Sequence, residues 1–507
     1  MRLYDMNKII RTAFFAITIA LSLTMTSCRD NYTKEFNRLL IDLADNDQTI
    51  DRDDWSEIEK FLDSQKANFR DLFENDELNI NRVKEYISDF FERRRPSKEI
   101  MFVGVGGKEY LNVNFYLERS GSMTPYDSPN GDGSFKAAIV QMLNNLPGDN
   151  EDNKIYVVNS SINAYPEGFS KFITDTNIFD ATKGIGDPSY TDFSAIFSQL
   201  LDKTGKDELS ILVTDMIYST KDMVGINPQK VFAEAQGMAN AVFKQQVKDK
   251  SMLIVKMNGS YSGPYYCYNS PKGGQSYTGK RPYYIVVVGS NQNIARITKD
   301  KNYTTFSQFK NLKGYENMYL FETDDVYKPY YSFLLSNPDI RGRFSPAHGK
   351  ETQIKDLTNL EVDRNSGDIR LALAVDLSGM LIDDAYLTNP DNYLVKSDDK
   401  VEIKEIREIN KQDITPAEKK YIGSATHIFI LGMNEINHAQ EVEIKLLNRL
   451  PSWIEETSSD DDTNVGMGTF AQTTFGLKYL LQGIYDSYKK HSEDHPHYFE
   501  LNMTFKK

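Results

Sequence analysis

The chain has 507 residues, with 59 Lys and Arg against 73 Asp and Glu, a formal charge of -14 and two cysteines. At about 150 residues per domain the length accommodates roughly three domains, and 40% hydrophobic residues with 30 Tyr and 28 Phe exclude a mainly disordered chain. The acidic balance excludes a nucleic-acid binder and charge-driven docking on an anionic membrane, and two cysteines exclude a disulfide scaffold and a Cys-based zinc site.

The first eleven residues carry Arg2, Lys8 and Arg11 against Asp5, and an uncharged apolar run follows from Thr12 to Met25. A basic start and an apolar stretch too short for a comfortable membrane span predict a secretory signal. The run ends at Met25-Thr26-Ser27-Cys28. Small residues before a cysteine resemble the lipobox of bacterial lipoproteins, which implies lipidation of Cys28 (palmitate among the acyl groups) and removal of residues 1–27. Removal takes away three basic residues and one acid, so the charge moves from -14 to -16. Arg29 follows Cys28. The resemblance then implies a cell-envelope protein held by its lipid alone, on the outer membrane of a Gram-negative bacterium. The second cysteine, Cys267, lies among Tyr265, Tyr266 and Tyr268 and is read as a buried or loop thiol.

Residues 28–107 read as a helical segment and linker. Phe36, Leu39, Leu40 and Leu43 recur at helical spacing, as do Trp55, Ile58, Phe61 and Leu62. The acidic stretch between them resembles a degenerate EF-hand, with Asp45 and Asp47 at ligand positions, but Gln48 stands where the loop needs Gly. Two helices joined by a polar, capped turn is the preferred reading.

Residues 108–335 alternate strands and helices. Strands are expected at 113–117, 154–159, 209–214, 252–257 and 283–288, and helices at 135–146, 193–201 and 228–247. Continuous apolar runs such as Ile285-Val286-Val287-Val288 predict a doubly wound, mostly parallel α/β sheet. Residues 336–507 read as a β-rich, sandwich-like domain with strands near 371–375, 427–431, 442–446 and 498–501 and one helix at 475–489.

The first strand of the middle domain ends in Glu118-Arg119-Ser120-Gly121-Ser122, and a later one ends in Thr214-Asp215. In such a sheet the loops at the carboxyl ends of strands meet at the ligand crevice. Glu118, Ser120, Ser122 and Asp215 are therefore expected on one edge, with Thr191 supplied by the loop before the helix at 193. An oxygen-only set suits a hard cation, Mg²⁺ first, with Mn²⁺ or Ca²⁺ as alternatives. These residues resemble the metal-ion-dependent adhesion site of von Willebrand factor type A domains, whose pattern is Asp-x-Ser-x-Ser, a distant Thr, and Thr-Asp on a later strand. The resemblance covers residues 108 to about 330. It implies that the serines hold the metal directly, that Thr191 does so directly or through water, and that the acids act mainly through water. Two departures stand out: Glu118 occupies the first Asp position, and Met216 follows Asp215 where the family usually has Gly.

The resemblance implies a non-enzymatic protein that binds a protein partner presenting an acidic side chain. Two other readings accompany it: a structural or assembly lipoprotein with a vestigial site whose C-terminal domain does the binding, and a metal-dependent hydrolase using Glu118 and Asp215, for which no nucleophile–base pair is visible. Asp127 and Asp132 are assigned to turns, Asp460-Asp461-Asp462 to a solvated loop, and His491, His495 and His497 to a polar linker. The seven tyrosines between 261 and 284 are expected on a hairpin, packed on its own face or presented for recognition.

Overall fold

A computed structural model describes the chain outside residues 1–31, 45–48, 51, 75–76, 95–99, 103–110, 145, 147–152, 176, 206–207, 219–224, 245, 248, 270–272, 300–308, 323–328, 349–352, 381, 436, 492–496 and 507. The signal segment and Cys28 therefore lie outside the described residues, as do Asp45, Asp47 and His495. Two compact units result, Met1–Gly107 and Lys108–Lys507. No helix among the described residues is long and apolar enough to cross a membrane.

In the first unit, helices at 32–44, Arg52–Ser64 and Ile80–Arg94 share one core. Phe36, Leu40 and Ala44 repeat every four residues, as do Val83, Ile87 and Phe91, and all six are fully buried. This spacing places each set on a single stripe. Ile50 pairs in parallel with Phe102, and both side chains join the same core.

The second unit begins with a seven-stranded sheet. Its strands are β1 (Asn112–Glu118), β2 (Lys154–Val158), β3 (Ile162–Ala164), β4 (Glu208–Thr214), β5 (Lys250–Tyr265), β6 (Gln275–Ser290) and β7 (Tyr315–Phe321), and the spatial order is β7-β5-β6-β4-β1-β2-β3. Only β1–β2 and β1–β4 pair in parallel. The β2–β3, β4–β6, β6–β5 and β5–β7 pairs are antiparallel. The class is mixed α/β, and the mostly parallel sheet expected from the apolar runs is corrected to a mixed one. The physical reason lies in what such runs encode. Ile285 and Val287 bury against one helical layer, and Val286 and Val288 against the other. Burial on both faces is enough to erase alternation, whichever way the neighbouring strands run.

One layer contains α1 (Ser134–Asn144), which contributes Phe135, Ile139 and Met142. The opposite layer contains α2 (Phe193–Lys203) and α3 (Pro228–Phe243). A fourth helix, α4 (Leu477–His491), comes from the far end of the chain and packs along α3. The Gly483 backbone lies so close to α3 that a methyl group there would stand 2.3 Å from the Gln236 carbonyl oxygen.

The rest of the unit is β-rich. One antiparallel sheet holds Tyr331–Phe333, Ile369–Val375, His427–Met433 and Glu402–Glu408. A five-stranded sheet runs Arg343–Pro346, Asp356–Glu361, His497–Phe505, Gln440–Leu447 and Tyr393–Lys396. Leu373, Phe429, Ile444 and Phe499 lie in the same continuous core as Phe197, Phe243 and Leu480 of the helices. Residues 108–335 and 336–507 thus share apolar interior.

Candidate functional site

The carboxyl ends of β1 and β4 lie side by side, because Leu117 pairs with Val213 in the parallel ladder. Glu118 and Asp215 leave these ends together, 1% and 2% exposed. Ser120 is 8% exposed and Ser122 partly exposed, so the serine loop forms the solvent side of the group. The third segment, carrying Thr191, is held by Asn159 just beyond β2. The Asn159 amide donates to the Ile185 carbonyl at 3.0 Å, and its own carbonyl accepts from the Asp192 N–H at 3.0 Å. Asp192 then caps α2 by accepting from the Ala195 N–H at 3.1 Å. Sequence reasoning missed Asn159, since an Asn in a polar bend carries no signal of a partner 26 residues away.

All five residues expected at the site converge, but their roles differ. The Glu118 carboxylate accepts from the Thr191 hydroxyl through Oε1 at 2.5 Å, and from the Thr214 hydroxyl through Oε2. Thr214 in turn accepts from the Met216 N–H at 2.9 Å. The additional methylene of Glu over Asp thus carries the carboxylate across to brace two neighbouring segments. Thr214, seen in the sequence only as the residue before Asp215, completes this brace.

Ser120 Oγ and Ser122 Oγ are 3.0 Å apart. Asp215 Oδ1 accepts from the Ile217 N–H at 3.0 Å, whereas Asp215 Oδ2 is buried and has no hydrogen-bond partner. A buried carboxylate oxygen without a donor is costly unless something else satisfies it. The site is also poor in cations. Burial, reinforced by the nearby Asp215, pushes the Glu118 carboxyl up to about 8. Burial raises Asp215 as well, opposed by the Ser122 hydroxyl, the Ile217 N–H and the Arg281 charge.

Arg281 is 2% exposed and was not singled out by sequence. It donates to the carbonyls of Phe470 and Thr473, stacks over Tyr265 and Phe470 at 4.8 and 4.1 Å from the ring centroids, and leaves Nε without an acceptor. Asp462 acts on the same guanidinium. Two buried carboxylates, Asp215 and Asp462, thus feel the charge of one buried guanidinium.

Met216 has φ of +58° and is fully buried, with its side chain in the core that holds Leu212 and Phe193. The position has the left-handed geometry that favours glycine, costing a side chain roughly 1–2 kcal/mol, which burial of the methionine offsets.

Asp127 and Asp132 do not join the site. Asp127 accepts from the Ile178 N–H at 2.8 Å, and Asp132 accepts from the Ser134 N–H at 2.9 Å and pairs with Lys280 at 2.8 Å. The solvated loop expected at 460–462 is corrected at Asp462, which is 3% exposed and accepts from the Tyr265 hydroxyl at 2.8 Å and the Tyr268 N–H at 3.2 Å. His497 faces Glu500 at 3.6 Å in its own strand. The tyrosine-rich hairpin exists as β5–β6, with Tyr261, Tyr265, Tyr283 and Tyr284 packed inside and Tyr266 exposed. Cys267 is buried.

Among the described residues no group of three or more His, Cys, Asp or Glu is arranged as metal ligands. The oxygen set here is instead two carboxylates and three hydroxyls. Asp215 Oδ2 and the two serine hydroxyls remain available to a hard cation, while Glu118 and Thr191 occupy each other. In donor chemistry this fits Mg²⁺ or Mn²⁺. No family model, curated protein or solved structure matches this chain.

Proposed function

We propose that this chain is a lipid-anchored cell-envelope protein that binds a protein partner through a von Willebrand factor A-like domain with a modified metal-ion-dependent adhesion site. The observation that carries this reading is the convergence of Ser120, Ser122 and Asp215 on one sheet edge, with Asp215 Oδ2 buried and unpartnered. The burial of Glu118 beside Asp215 supports it further, because a divalent ion would offset the repulsion between the two carboxyl groups. When bound, such an ion supplies a double positive charge with coordination positions open to water or to a partner's carboxylate.

The residues of the chain do the rest. Ser120, Ser122 and Asp215 would hold the ion, and Ser122 lies nearest to solvent. Glu118 braces Thr191 and Thr214, tying the end of β1 to the end of β4 and to the loop before α2. No imidazole or thiol belongs to the group, which favours binding over acid–base catalysis.

Ser122→Ala is expected to weaken Mn²⁺ or Mg²⁺ binding at least tenfold in calorimetry. Absence of binding by the wild type would sink the metal bridge. One observation favours the second reading, a vestigial site with binding by the C-terminal part: Glu118 spends both oxygens on threonines. A partner captured equally well with and without EDTA would decide for it. For the anchor, Cys28→Ala is expected to move the protein from the membrane to the soluble fraction, and retention in the membrane fraction would exclude lipidation as the tether.

A further inference from the structure

Beyond the strand ends, β5 and β6 continue as a long hairpin past Thr214, since Tyr284 is the β6 residue paired with Thr214 and β6 begins nine residues earlier at Gln275. The base of the turn carries Tyr266, whose ring lies against the serine loop. A methyl group on Gly121 would stand 3.0 Å from its Cε2 and 3.3 Å from its Cδ2. A larger residue between Ser120 and Ser122 would push the ring back by a few tenths of an ångström. Tyr266 is nevertheless 42% exposed, one of few large apolar side chains so open.

The residues on either side of Tyr266 are fixed by a distant part of the chain. The Asp462 carboxylate accepts from the Tyr265 hydroxyl at 2.8 Å and from the Tyr268 N–H at 3.2 Å. Gln275 across the hairpin donates to the Thr463 carbonyl at 2.7 Å. Phe470 packs edge-on against Tyr265 and Tyr277 at 4.8 and 4.9 Å between centroids. Segment 462–473 thus grips the hairpin stem and leaves the partly exposed Tyr266 ring against the serine loop.

We propose that Tyr266 is the specificity-determining wall of the serine–aspartate site, selecting carboxylates borne on flat apolar or aromatic groups, and that Asp462 is the positioning residue that holds it there. The proposal rests on the reading of the site as a cation-bridged carboxylate receptor. A carboxylate that reaches an ion held by Ser120 and Ser122 comes beside this partly exposed ring, and an offset-stacked second ring gains contact that a methyl group does not.

The test uses the full chain with Mn²⁺ alone, followed by titration of acetate or phenylacetate while the relaxation rate of solvent protons reports displacement of water from the ion. The wild type is expected to be displaced at roughly three- to tenfold lower phenylacetate than acetate. Tyr266→Ala, an exposed position, is expected to equalise the two carboxylates while Mn²⁺ affinity stays within about twofold. Asp462→Ala is expected to do the same, and to speed hydrogen exchange in residues 262–268 without any metal. Equal displacement by both carboxylates in the wild type, or a preference that survives Tyr266→Ala, overturns the wall. Unchanged exchange in Asp462→Ala overturns the positioning role. Failure of the wild type to bind Mn²⁺ overturns the site reading itself along with both.

Discussion

Replacing Glu118 by Gln is expected to stabilise the metal-free protein at pH 8–9 by on the order of 2–4 kcal/mol and to change it little near pH 5. Glu118 is buried beside a second carboxylate, and both effects push its carboxyl up to about 8 from an ordinary value of 4.5. Between those two values the folded chain retains a proton that the unfolded chain has lost. Folding then takes up a proton, so wild-type stability falls as pH rises across that window and levels off above it. A neutral amide removes the part that Glu118 contributes, while Asp215, also raised by burial, keeps its own. It also keeps much of the brace, because the Gln carbonyl can accept from one threonine hydroxyl and its NH₂ can donate to the other threonine oxygen after the hydroxyl rotates. Denaturant midpoints in EDTA at pH 5 and 8.5 measure the effect better than melting temperatures. Unfolding entropy scales with chain length, so a unit of 400 residues moves only about 1 °C per kcal/mol. A variant less stable than wild type at both pH values would show that the threonines need a charged acceptor and that Glu118 is the ionised member of the pair.

The part of the site that was legible in the sequence is the part written by strand ends. Ser120, Ser122 and Thr214-Asp215 follow apolar runs directly, and parallel pairing of β1 with β4 makes neighbours of positions almost a hundred residues apart. Helices α1, α2 and α3 begin within one residue of where spacing and caps put them, as Phe193 after Asp192 and Pro228 after Asn227 illustrate. What the sequence hid were interactions without a local pattern. The expected tyrosine hairpin is there, with Gly259 to Pro264 paired residue for residue with β6, but the packing that its glycines admit was not legible. Gly259 and Gly263 fit because Tyr126, Tyr283 and Pro125 pack where their side chains would be. Asp462 looks like one more surface acid until Tyr265, nearly two hundred residues earlier, donates to it. Arg281 reads as a charged residue in a polar turn, and only Phe470 and Thr473 make its burial tolerable. Asp462 and Arg281 are polar groups whose partners lie nearly two hundred residues away, which periodicity cannot encode.

The contact between α3 and α4 carries the second large effect. Gly483→Ala is expected to cost at least about 2–3 kcal/mol, well beyond the usual effect of a helical Gly→Ala change, which on propensity alone gains up to about 1 kcal/mol. The new methyl group would lie 2.3 Å from the Gln236 carbonyl oxygen and 3.0 Å from the Ala239 methyl. The first of these is backbone inside α3 and cannot swing aside, so the two helices must separate. Separation would disturb neighbours on both sides of the contact. On α3 these are Phe243, which meets Tyr488 at 6.3 Å between centroids, and Phe232, which stacks on Tyr479 at 4.3 Å. On α4 the Ser487 hydroxyl donates to the Asn240 carbonyl at 3.2 Å. Since α4 follows directly on the segment that grips the hairpin at Arg281 and Tyr265, the same change is expected to loosen residues 462–473 in hydrogen exchange. The strand ends that carry Ser120 and Asp215 should remain protected. Gly237→Ala on α3 is the control, because a methyl group there meets nothing within 4 Å. It should be neutral or slightly stabilising, and equal behaviour of the two variants would refute a steric origin for the close helix contact.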